Sequence, residues 1–289
     1  MLQSEFTVRQ LCGVLGVSKS AYYAYQSGES YELDSTKAEV SKAIEALFYA
    51  HKRRYGWRRI QKELAAQGIE VGRHQIRNRM KERNLVAIQP KSYVPKTTQS
   101  SIHLGRSDNL LLDKDNWPTA PNEVIVGDIT YLPNHERGQK TWLYLATWLD
   151  LFSRRIVGWH LDRNMEASLI IQAFEQVIAQ RQPSRGFIVH SDGGTQYASI
   201  AFRQLLKVNQ YRQSMTRKDN HYDNAHAESL FSRFKAELLD GQVFSGFEDA
   251  KAQVFEYIEG YYNYIRRHSS LHYLSPDEFK RRFYSGELQ

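Results

Sequence analysis

Apolar residues recur every three to four positions through the first eighty residues. From about residue 122 they fall instead in short, nearly unbroken runs. The first pattern predicts helices and the second predicts strands with helices between them. Thr7 is placed to cap a helix carrying Val8, Leu11, Val14 and Leu15, and Gly16 breaks it. Ser18 can cap a second short helix through Tyr22, Tyr23 and Tyr25, giving a helix-turn-helix within residues 1–30. A longer helix is expected from about Thr36 to His51, with Val40, Ile44, Leu47 and Phe48 on one face. Two more follow, from Trp57 to Ala66, stopped by Gly68, and from Arg73 to Arg83, so that residues 36–84 form a second helical module.

Residues 85–121 lose the periodicity and carry Pro90, Pro95, Pro118 and Pro121 among Ser, Thr, Asn and Lys, which reads as an extended linker. The stretches EVIVGDITYL, KTWLYLATWLD and RRIVGWHLD then predict three strands joined closely enough for a meander, with a tight turn at Ser153–Arg155. An amphipathic helix from Glu166 to Gln182 ends before Pro183, and GFIVHSD is a short apolar strand. A helix at 200–208, a strand at 211–215 and a helix containing YDNAHAESLFSRFKAE complete residues 122–240. The order βββ-α-β-α-β-α is that of a ribonuclease H-like α/β layer fold, preceded by all-α modules. Residues 241–289 read as one helix over 247–266 and a basic tail, RRHSSLHYLSPDEFKRRF.

Composition sharpens this picture in one place. The net charge is +7, but Thr36–Lys96 holds fifteen Lys and Arg against five Asp and Glu, so this segment carries the whole basic excess. Such clustering is the electrostatic footprint of phosphate binding. In the 73–83 helix Ile76 and Met80 face inward, while Arg73, Arg77 and Lys81 project outward beside Arg58 and Arg59 of the preceding helix. A basic helix following a shorter one across a turn suits a DNA major groove, the alternative being a solvated charged face. With 41% hydrophobic residues the chain has material for a packed core. Its apolar runs fall short of the roughly 20 residues that cross a bilayer. A single cysteine, Cys12, excludes an internal disulfide and a multi-cysteine zinc site. The expectation is a soluble cytoplasmic protein with no membrane partner.

Three acids stand apart by position. Asp128 lies inside a core strand, Asp192 ends the apolar strand FIVHSD before Gly193 and Gly194, and Glu228 lies on the apolar-periodic helix near residue 231. Lys235 follows Glu228 by seven residues, nearly two turns, so both project from one face. A charge in a core strand is costly unless paired or metal-bound. Carboxylates without histidine or cysteine clusters suit Mg²⁺ or Mn²⁺, and two such ions about 4 Å apart serve in-line phosphoryl displacement. The plainer reading makes Asp192 a turn residue and Glu228 a surface residue; it leaves Asp128 unexplained.

VGDITYL, HSDGGTQYAS and DNAHAESLFSRFKAE resemble the three catalytic blocks of DDE transposases and retroviral integrases. The 35 residues between Asp192 and Glu228, and Lys235 beyond, match the integrase-like subgroup. More narrowly, with RRYGWRRI and RRHSSLHYLSPDEF, the chain is similar to the OrfB transposases of the IS-three family of bacterial insertion sequences. The resemblance implies that Asp128, Asp192 and Glu228 hold two Mg²⁺ or Mn²⁺ ions and that Lys235 meets DNA phosphate. His190, Gln196, Asn224 and His226 become candidates for orienting DNA or ions, each equally open to a structural role. Asp219 and Asp223 rival Glu228 but precede or begin its helix, and Asp223 suits a helix cap. The implied activity is binding of terminal inverted repeats, strand cleavage that exposes a 3′-hydroxyl, and transfer of that hydroxyl to target DNA. The implied partners are DNA, further copies of the chain and an upstream-frame OrfA protein or fusion, with action at the bacterial nucleoid. Two alternatives remain: a non-catalytic DNA-binding regulator of transposition, and a ribonuclease H-like nuclease that cuts without joining. Unlike retroviral integrases, the chain has too few cysteines for a His/Cys zinc domain.

Overall fold

The computed structural model describes residues 6–27, 35–90, 105–217 and 225–288, without the side chains of 35–36 and 225–228. The chain divides into two units, Met1–Ala87 and Ile88–Gln289. None of the described helices is long and apolar enough to cross a membrane.

The first unit is helical. Thr7 and Gln10 form a reciprocal capping box that starts α1 (Val8–Leu15), and Gly16, at φ 65, ends it in the left-handed conformation. Ser18 caps α2 (Lys19–Gln26). The hairpin buries Cys12 but leaves Val14, Leu15 and Tyr25 exposed. Helices α3 (Ser35–Ala50), α4 (Trp57–Ala66) and α5 (Arg73–Glu82) enclose Ile44, Phe48, Ile76 and Met80, on the faces expected from their spacing, together with Ile60 and Leu64 of α4. Tyr55 is fully buried and stacks on His51 at 3.8 Å, and Gln61 Nε2 donates to the Val71 carbonyl, pinning the α4–α5 turn.

The second unit is an α/β/α sandwich. Strands β1 (Val124–Glu136), β2 (Gln139–Asp150) and β3 (Ile156–Asp162) form the antiparallel meander, and β4 (Ile188–Ser191) and β5 (Arg212–Met215) add parallel to β1, in the order β3-β2-β1-β4-β5. The period-two alternation of the strands sorts side chains to two faces. On one face Ile125, Trp148 and Val189 pack with Leu169, Phe174 and Val177 of α6 (Ala167–Arg181) and Phe202 of α7 (Ile200–Val208). On the other, Leu132, Leu143 and Leu145 pack with Leu230 and Phe234 of α8 (Ala225–Leu239) and Val254 of α9 (Phe247–Phe255). The order βββ-α-β-α-β-α is as the sequence predicts.

Three expectations change. Residues 105–121, read as the end of a linker, pack on the core: Leu110 and Leu111 cover Val124, Val126 and Ile188, and the Leu110 amide donates to Ser214 Oγ at 3.0 Å. The single helix expected over 247–266 becomes α9 followed by a π-helical turn, Glu256–Tyr262, which buries Tyr257, Ile258 and Tyr262 together. The basic tail is largely internal or paired. Arg266 is 2% exposed and grips Glu237 of α8 through two hydrogen bonds, of 2.7 and 2.6 Å, while Tyr257 donates to the same carboxylate at 2.9 Å. Asn263 bonds both backbone groups of Ile156, and α10 (Pro276–Tyr284) carries the ion pair Arg282–Glu278.

Candidate metal centre and nucleic-acid face

The β1–β4 ladder pairs Val124 with Ile188 through Gly127 with Ser191. Asp128 and Asp192 are the next residue of each strand. Gly127 is required beside Asp128, because across the sheet it faces Trp148, whose ring fills the space where a Cβ would lie. Trp148 is itself fixed by an edge-on contact with Phe174, by stacking on Phe202 and by donating Nε1 to the Ile170 carbonyl. The rigid aromatic core therefore sets the backbone from which Asp128 projects.

Asp192 remains partly exposed, yet burial pushes its carboxyl above the usual carboxylate range; the Gly194 amide, donating at 2.9 Å, and the Arg106 guanidinium oppose this. Arg106 lies across Gly193, where any side chain would collide with it. Tyr197 is buried, and among the described residues its hydroxyl has no hydrogen-bond partner. Burial raises its pKa well above the usual value, and the charges of Asp128 and Asp192 raise it further, which puts both carboxylates near one hydroxyl. Lys235 of α8 is half-buried; burial lowers its pKa, and Asp128 counteracts this. The stripe Leu230, Phe231 and Phe234 is buried as its spacing predicts, turning Lys235 toward β1.

The other candidates separate. Glu228 and His226 belong to α8, but their side chains lie outside the described residues, as does all of Asp219, Asp223 and Asn224. His190 is fully buried and bonds Ser214 of β5 at 2.8 Å, a cross-strand structural contact. Gln196 Nε2 donates to the Met165 carbonyl at 2.9 Å, tying the loop after Asp192 to the start of α6. In the first unit Arg73, Arg77 and Lys81 are exposed along α5, and Arg58 is exposed with its guanidinium 4.7 Å from the Trp57 ring centroid. Arg59 is half-buried over Tyr55 and donates to the Arg54 carbonyl, so it braces the turn before α4. Arg106 and Tyr197 are neighbours of the carboxylates that sequence reading missed; Arg106 sits in what looked like linker.

Residues 118–221 match the family described as Integrase core domain, 228–283 a second family of the same description, and 36–93 the HTH-like domain. The chain is 35% identical to "Transposase InsF for insertion sequence IS3A" of Escherichia coli K12, over 97% of this chain and 96% of that one.

The chain belongs to the IS3-family transposases.

It is also 37% identical to "Transposase for insertion sequence element IS904" of Lactococcus lactis, over 84% of this chain and 93% of that one. Among solved structures it is similar to the HTLV-2 integrase catalytic core domain in complex with magnesium, at TM-score 0.39 and 16% identity, over 55% of this chain and 97% of that one. Family membership makes residues 118–221 and 228–283 integrase core and residues 36–93 a helix-turn-helix-like domain that implies DNA binding, and such a core depends on a divalent metal.

Proposed function

We propose that Asp128, Asp192 and Glu228 together hold two Mg²⁺ or Mn²⁺ ions, and that this transposase cuts and joins DNA strands at that site. The donor set fits the ions: it is all oxygen, two carboxylates extend one rung of adjacent strands, and a buried hydroxyl beside them lacks a partner among the described residues. Bound there, the ions would activate a hydroxyl nucleophile and stabilise the leaving oxygen. The observation that carries the reading is the convergence of Asp128, Asp192 and Lys235 on one end of the sheet.

The protein's own residues supply position and charge. Trp148 and Gly127 fix the Asp128 backbone, and the Gly194 amide orients Asp192. Lys235 balances the carboxylates and is placed to meet a phosphate drawn to them. The exposed face of α5, with Arg73, Arg77, Lys81 and the nearby Arg58, grips the terminal inverted repeats in the major groove. Arg59, Asn224 and Gln196 belong to the same proposed DNA-contacting set, Arg59 and Gln196 by bracing the elements that touch DNA. Because two element ends must be joined, the active form is a dimer or larger assembly on DNA, working with an upstream-frame OrfA protein or fusion in the cytoplasm, at the nucleoid. Incubation with duplexes bearing the element ends and Mg²⁺ or Mn²⁺ tests the reading: joined products support it, nicks alone point to a nuclease, and tight binding without chemistry points to a regulator.

A further inference from the structure

A second charged cluster lies at the opposite rim of the sheet. Asp150, at the end of β2, pairs with Ile125, three rungs from the Asp128–Thr147 pair and so about 10 Å along the strand. Here the chain turns through residues 151–155 into β3. Gly158 packs beneath Ala173 and Val177 of α6, so the last turn of α6, at Arg181, comes back over that hairpin.

Arg155 pairs through Nη1 with Asp277, donates Nη2 to the Tyr264 hydroxyl at 2.8 Å and lies 4.7 Å from the Tyr264 ring centroid. Its side chain is only 11% exposed. Its Nε, and the Nε of Arg181, are buried without a hydrogen-bond partner among the described residues. Lys280 of α10 stands beside them, its ammonium over the Tyr284 ring.

The nearby acids are already committed. Asp150 is buried, and its carboxylate accepts from the Ser153 amide, the Ser153 hydroxyl and the Asn122 amide. Asp277 is shared between Arg155 and Arg281. Burial lowers the pKa of Arg181 and of Lys280; Arg155 lowers both further and Arg181 also lowers that of Lys280, while Asp150 offsets part of this for both and Asp277 part of it for Lys280. Like charges and unpaired N–H groups gathered in one partly buried place are costly without a counter-ion. A tetrahedral oxyanion matches guanidinium donors, and the exposed Tyr264 and Tyr284 rings at the mouth suit a sugar-phosphate chain better than a bare ion.

We propose that Arg155, Arg181 and Lys280 form a binding site for a phosphodiester of DNA, separate from the carboxylate centre, which gives the core a second hold on DNA. The proposal rests on the transposase reading for its choice of DNA. The test is binding of a labelled duplex to the full chain across a salt series, comparing wild type with Arg181→Gln and with Arg181→Gln/Lys280→Gln. The slope of log affinity against log salt is expected to become shallower by about 0.9 for the single variant and about twice that for the double. Without DNA, both variants are expected to melt at a higher temperature, because mutual repulsion is relieved. An unchanged slope overturns the proposal, and so does a lowered melting temperature with an unchanged slope, which makes the cluster a fold element. Thermal stabilisation of the wild type by inorganic phosphate alone, with no slope change on duplex, also overturns it in favour of a free-phosphate site. If no form of the protein shows strand chemistry while the slope change stands, the transposase reading fails and this site survives.

Discussion

Asp128 and Asp192 extend neighbouring parallel strands by one residue past their last paired rung, Gly127 with Ser191. Asp192 loses hydration here: burial pushes its carboxyl up, and the Gly194 amide and the Arg106 guanidinium only partly offset this. Asp192→Asn is therefore expected to raise the melting temperature of the metal-free protein, by about 2–4 °C for each kcal/mol relieved, while removing strand chemistry. Calorimetry on the metal-free chain checks this, and a lower melting temperature would contradict it.

Gly127 carries a different dependence. A methyl group there enters the Trp148 ring, which is packed edge-on against Phe174 and stacked on Phe202. Gly127→Ala should cost about 1–3 kcal/mol in chemical denaturation and displace Asp128 with it. A variant as stable as the wild type would show that the ring moves freely.

The Glu237–Arg266 pair joins α8 to the C-terminal segment with both side chains almost fully buried. Burial would lower the Arg266 pKa, but the adjacent Glu237 carboxylate outweighs it and holds it well above the usual value. Removing one partner strands the other charge, so Glu237→Gln should lose about 3–5 kcal/mol of stability. Replacing both, as Glu237→Met with Arg266→Leu, is expected to recover much of that loss. Urea denaturation of the three proteins reads this directly, and equal losses in the single and double variants would refute it.

On α5 Arg73, Arg77 and Lys81 are exposed and should matter to DNA alone. Arg73→Gln, Arg77→Gln and Lys81→Gln together are expected to leave the melting temperature unchanged and flatten the salt dependence of duplex binding by up to about 0.9 per lost phosphate contact. Unaltered binding would remove α5 from the DNA interface.

The element order and one of the acids were legible in the sequence for physical reasons. Helix and strand periods differ, and a charge amid VIVGDITYL has few innocent explanations. Other features were not legible. Arg266 looks like tail charge because its partner, Glu237, is on another helix, and nothing local to either residue marks the pairing. Arg106 follows a stretch rich in polar residues, so its position over Gly193 depends on where residues 105–121 pack. The π-helical turn keeps Tyr257, Ile258 and Tyr262 buried at a spacing that an α-helical reading spreads around the axis.

The most direct test of the metal-centre reading is a cleavage and joining assay with Glu228→Gln beside wild type, on duplexes carrying the element's ends with Mg²⁺ or Mn²⁺. Glutamine keeps the size of the side chain and removes one ligand charge. The expected result is metal-dependent nicked and joined products from the wild type and at least a hundredfold less from the variant, with DNA affinity preserved; a loss of that size corresponds to about 2.7 kcal/mol of transition-state stabilisation. Equal product from both proteins would contradict the assignment of Glu228 to the metal site.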